Sequence, residues 1–79
     1  MNKQTRAQLE AYHDQLVEII DAIRTIGEEE QEKYDNAPEN LQLSDRISAF
    51  TECADAIEDI CVDLESATDA LMDDVLSVY

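Results

Sequence analysis

The sequence predicts an all-α fold: an antiparallel two-helix coiled-coil hairpin. Two stretches carry small or apolar residues at alternating steps of three and four, which is the repeat of a coiled-coil seam. The 79 residues include only one Gly and one Pro, so little of the chain can be turn. A chain of this length forms one small domain, and we expect residues 1–79 to fold as a single hairpin.

The first predicted helix covers about residues 5–35, with Asn2 or Thr5 as its cap. Its seam consists of Leu9, Tyr12, Leu16, Ile19, Ile23 and Ile26. Gly27 interrupts the pattern, but the next residues are mostly good helix formers, so we expect the helix to continue, bent or straight. Pro38 cannot continue the hydrogen-bond ladder and ends the helix.

The connection is predicted at residues 36–43 and the second helix at about 45–77. Ser44 is a good N-cap, and Asp45 falls in the first turn, where the helix dipole favours a carboxylate. The second seam consists of Ile47, Phe50, Ala54, Ile57, Cys61, Leu64, Thr68, Leu71, Val75 and Val78.

The two seams match if facing residue numbers add up to 80. In that register Ile19 meets Cys61 and Ile26 meets Ala54, and every pair joins an a to a d position of the heptad. The register is therefore a specific prediction that a structure can test.

A second copy is expected to cover further apolar residues beside the seams. These residues are Ile20, Cys53, Ile60 and Ala67. A hairpin of this size is marginally stable alone, so we predict that two hairpins pair into a four-helix bundle, a homodimer or a higher homo-oligomer. Ile20 and Ile60 are predicted to lie in the contact between hairpins. Cys53 and Cys61 lie about 12 Å apart along one helix, so they cannot bridge to each other.

The charge of the chain is strongly negative, with 20 acidic and 5 basic residues and a net charge of −15. This charge opposes direct binding to nucleic acid or to an anionic membrane, and it favours a basic protein partner. Carboxylates along the second helix form the candidate binding surface, here called the acidic face: Glu52, Asp55, Asp59, Asp63, Glu65, Asp69 and Asp73. With no apolar run near 18 residues and no signal-peptide core, the chain is expected to be cytoplasmic.

Two patterns resemble metal sites. The sequence Glu28-Glu29-x-x-Glu32 followed by Glu52-x-x-Asp55 resembles the magnesium-binding pattern of all-α nucleotide pyrophosphohydrolases. Glu28 and Glu52 fall at outward heptad positions, however, and few bases are available for phosphates, so a solvated acidic surface is the preferred interpretation. Glu10-x-x-His13 matches half of a di-iron repeat but lies outside the predicted core. We therefore expect no catalytic residue, no metal and no cofactor.

The connection carries a family resemblance. The stretch Asp35-Asn36-Ala37-Pro38-Glu39-Asn40-Leu41-Gln42-Leu43-Ser44, between two acidic helices, resembles a D-N-x-P-E-N-L-Q-x-S pattern in small uncharacterised helical proteins of phages and prophages of Gram-positive bacteria. The resemblance implies a phage-like origin, a hairpin fold and a bacterial host cytoplasm. It implies no functional residue.

Three functions fit these observations. The leading hypothesis is a binding module whose acidic face engages a basic protein surface, as an inhibitor of a host defence or nucleic-acid-binding protein by charge mimicry. The second is a structural oligomerisation element. The third is a relative of Mg-dependent nucleotide pyrophosphohydrolases, or a nucleotide sponge.

Overall fold

The computed structural model describes residues 1–78 and confirms the all-α hairpin. Helix α1 runs over Lys3–Asp35 and helix α2 over Asp45–Ala70, and the two pack against each other. A five-residue π-helix, Leu71–Val75, and a short 3-10 helix, Leu76–Val78, follow α2. The fold is a rod of 60 × 16 × 13 Å. No helix within residues 1–78 combines the length and apolar character that a membrane crossing requires.

Side-chain caps fix the start of both helices. The Asn2 side chain accepts a hydrogen bond from the Thr5 amide at 2.8 Å, and Ser44 Oγ accepts one from the Ile47 amide at 3.3 Å. Each bond satisfies an amide that the helix itself leaves unpaired. In the connection, Gln42 Nε2 donates to the carbonyl oxygens of Tyr34 and Ala37, each at 3.2 Å. These bonds hold the loop against the end of α1.

The structure corrects the predicted seam of α1. Ile20 and Gly27 are buried, whereas the predicted seam residues Tyr12, Ile19 and Ile26 are 53–56% exposed. The residues of α1 that face α2 therefore lie one position later in the sequence than predicted. Because Ile20 packs within its own hairpin, the prediction that it lies in a contact between hairpins is wrong.

The register differs from the prediction by one residue, and Gly27 explains why. Cys61 Sγ lies 4.0 Å from the carbonyl oxygen of Ile20, and Gly27 packs against Ala54 and Ile57. The residue numbers of two positions that face each other across the hairpin therefore add up to 81, not 80. A Cβ at Gly27 would lie only 2.9 Å from Ile57 Cγ2, so the two backbones approach closely because this position has no side chain.

The seam of α2 is largely as predicted, but its last member is not. Ala54, Cys61 and Thr68 are buried at seven-residue intervals. Beyond them, Leu76 is buried while the predicted seam residue Val78 is 70% exposed. The wider π-helical turn changes the heptad phase after Ala70, so Leu76 turns inward in its place.

Candidate functional site

The acidic face lies on the outer surface of α2 and of the π-helix that continues it. Six of its seven carboxylates are exposed, and Glu65 is partly buried against α1. Counting Glu58 and Asp74, nine carboxylates lie between Glu52 and Asp74. At 1.5 Å of rise per residue, they are spaced at roughly 4 Å along the axis, close to the 3.4 Å between phosphate charges along one DNA strand.

Arg24 of α1 joins the acidic face to the first helix. Its Nε donates to Glu58 Oε2 at 3.0 Å and its Nη2 approaches Glu58 Oε1 at 3.4 Å, while Nη1 donates to Glu65. Hydrogen bonds to Glu65 and then Glu58 raise the pKa of the Arg24 guanidinium further above its already high value. The guanidinium therefore stays charged and bridges the two helices.

Carboxylates of α1 adjoin the acidic face on both sides of Arg24. A shallow cleft of about 190 Å³ beside Gly27 is lined by Glu28 of α1 and by Asp55 and Glu58 of α2. A smaller cleft of about 40 Å³ brings Asp21 of α1 near Glu65 and Asp69. The negative surface thus spans both helices, a feature that only the register of the hairpin reveals.

The opposite side of the hairpin carries a group of exposed apolar residues. On a helix, the residue before a buried one and the residue four after it fall on opposite sides of the interface. Ile19 precedes buried Ile20 and Ile60 precedes buried Cys61, whereas Arg24 and Glu65 follow these two residues by four. Exposed residues on the Ile19 side form what we call the apolar face: Tyr12, Leu16, Ile19, Ile26, Ile60 and Leu64.

The residues of the two metal-like patterns are only partly brought together. Glu28 and Asp55 line the same cleft, but Glu32 and Glu52 are exposed elsewhere. Within residues 1–78, the structure gathers no group of three or more His, Cys, Asp or Glu side chains that could hold a metal ion.

The two residues of the half di-iron pattern, Glu10 and His13, interact with different neighbouring side chains. Glu10 pairs with Arg6 at 3.5 Å, and His13 Nδ1 lies 3.4 Å from Asp14 Oδ1. Glu10 and His13 therefore each have a partner other than one another.

Comparisons with protein-family models, curated proteins and solved structures gave no match. The two surfaces of the hairpin differ in the groups that they can bind. One is a dense row of carboxylates that suits cations, and the other is an uncharged aliphatic strip that suits apolar groups.

Proposed function

We propose that this chain is a binding module whose acidic face engages a basic protein surface. The observation that carries the proposal is the unbalanced row of carboxylates on α2. After Arg46 the sequence contains no Lys or Arg, and Arg24 neutralises part of the row at Glu58 and Glu65 only. A partner's cations would supply the missing counter-charge.

The row is unfavourable for the free protein, which supports a role in binding. Four pairs of like charge lie at i,i+4: Asp55/Asp59, Asp59/Asp63, Glu65/Asp69 and Asp69/Asp73. Each pair destabilises a helix by about 0.2–0.5 kcal/mol. Carboxylates near the C-terminal end of α2 also face the negative end of the helix dipole. A surface kept at a cost in stability suggests selection for contact with another molecule.

The spacing of the carboxylates supports a nucleic-acid-binding protein as the partner. Carboxylates at roughly 4 Å along α2 approach the charge density of a nucleic-acid strand. A nucleic-acid-binding protein offers a complementary basic groove, so we propose inhibition by charge mimicry, in a bacterial cytoplasm if the chain is of phage origin. A host defence protein that acts on nucleic acid belongs to this class.

Lysine substitutions separate binding from stability. We expect the triple variant Asp59→Lys, Asp63→Lys, Asp69→Lys to melt at a higher temperature than the parent, because it removes like-charge repulsion. The same variant should lose at least tenfold in capture of basic proteins from a bacterial lysate, measured by mass spectrometry. Capture by the parent should weaken as salt is added, since salt screens exposed charges. Glu65 is left unchanged because it pairs with Arg24.

A matched charge change on α1 provides the control. Glu18→Lys, Glu29→Lys, Glu32→Lys alters the net charge equally at exposed positions of the other helix. The control should retain most of the capture. If the α2 variant is more stable and still captures the same proteins, the acidic face is only solvated surface and the proposal fails.

A structural oligomerisation element is the second candidate, and the apolar face favours it. Under that function the isolated protein would assemble with itself and the lysate experiment would yield no basic partner. The two candidates therefore differ in what binds and on which side of the hairpin.

A further inference from the structure

The side chains of the apolar face remain exposed to solvent in a single hairpin. Three aliphatic side chains on it, Ile19, Ile26 and Ile60, are each more than half exposed, and Leu16 and Leu64 border them at 38% and 37%. Ile23 and Ile57, partly buried, lie between these residues and the helix interface. Exposed aliphatic residues are ordinary when scattered, but here they fall on the same side of both helices.

The surface area of the hairpin is larger than that of a compact monomer of the same mass. The chain exposes 5759 Å². A compact monomer of 8.9 kDa would expose about 4,800 Å². The excess of roughly 1,000 Å² is close to the ~800 Å² that each partner contributes to a standard protein–protein interface. A rod of 60 × 16 × 13 Å exposes more surface than a compact monomer, and side-by-side pairing of two rods along their length would remove an area of this order.

The distribution of charge indicates which partner fits. The six residues of the apolar face include no acidic or basic side chain. In a dimer formed through the apolar face, the carboxylates of the acidic face and those adjoining Arg24 stay on the outside of the assembly. A basic partner would instead be attracted to the opposite side, where Glu58 and Asp69 lie. Charge therefore permits a second copy on the apolar face despite the net charge of −15.

We propose that the apolar face is the interface of a homodimer, in which a second copy of this chain packs α1 and α2 against α1 and α2 to form a four-helix bundle. The strip includes residues of both helices, so each copy can present the same surface to the other, as the isologous contact of a two-fold dimer requires. Cys53 precedes Ala54 by one residue, so it falls on the same side and would be covered as well. This inference does not depend on a basic partner.

Paired substitutions on the two sides of the hairpin test the proposal. The parent should sediment at twice 8.9 kDa at micromolar concentration. Ile19→Gln with Ile60→Gln should raise the dimer dissociation constant by at least about a hundredfold, because each isoleucine is lost twice in a symmetric interface. The matched control is Val17→Gln with Val62→Gln, at 41% and 49% exposure on the acidic side. The control should remain dimeric.

Thermal melting keeps the test decisive if the interface variant fails to fold. A dimer that contributes to stability has a melting temperature that rises with protein concentration, so the parent should show this rise. A parent that is monomeric at high micromolar concentration, with a concentration-independent melting temperature, would overturn the proposal. So would loss of the dimer in the control pair, or a parent that gains mass only with a different protein.

Discussion

Ile20→Ala is expected to lower the free energy of unfolding by about 2–5 kcal/mol, the range for an aliphatic residue removed from a packed core. Ile20 is 3% exposed and packs beside Cys61, so truncation leaves a cavity in the interface between the two helices. Small domains have only about 5–15 kcal/mol of stability in total, so the variant should be largely destabilised. Urea unfolding followed by circular dichroism measures the change.

Val17→Ala is the control for this experiment. Val17 lies less than one turn away, is 41% exposed and faces the acidic side, so its truncation should cost less than about 1 kcal/mol. Equal losses at Val17 and Ile20 would mean that the inward line of α1 is misplaced. Leu64 and Ile23, which are central in the seam predicted from the sequence, are less buried than Ile20. Their truncation to Ala should therefore lower the free energy of unfolding by less than Ile20→Ala does.

Gly27→Leu is expected to be the second severe change, at about 3 kcal/mol, the upper part of the range for overpacking. Even the first side-chain carbon would lie 2.9 Å from Ile57 Cγ2 and 3.3 Å from Ile57 Cβ. Ile57 is β-branched and cannot rotate away freely, so the helices must separate. The gain of ~1 kcal/mol in helix propensity on replacing Gly is too small to compensate.

Ala22→Leu places the same side chain on the exposed side of α1 and should change stability by less than about 0.5 kcal/mol. Both variants are measured by the same urea titration. Gly27→Leu with parent-like stability would contradict the close approach of the helices at this point.

The sequence was sufficient to predict the helices and the inward line of α2. The Ser44 cap and a heptad line through Ala54, Cys61 and Thr68 follow from local rules, and the structure has both; of the two candidate caps of α1, Asn2 or Thr5, the structure has Asn2. The inward line of α1 was ambiguous because isoleucines occur on both sides of it. Ile19 continues the apolar repeat, yet the buried residue is its neighbour Ile20.

Gly27 is the reason that apolar spacing alone gave the wrong line. Counting apolar residues favours Ile26 over a glycine, whereas backbone packing favours the position without a side chain. A shift of one residue turns a helix by about 100°, which moves four predicted seam residues of α1 onto the apolar face. The ion pairs of Arg24 were equally hidden, because Glu58 and Glu65 lie 34 and 41 residues away in sequence.

The register of the hairpin is the central claim, since it alone separates an apolar side from an acidic side. Disulfide formation with Cys61 measures it directly in a Cys53→Ser background, which leaves one native thiol. Ile20→Cys should form an intrachain disulfide under mild oxidation, because position 20 faces Cys61, whereas Ile19→Cys should not, because its side chain points away. Rapid bridging from position 19 and none from position 20 would contradict the register and the two faces built on it.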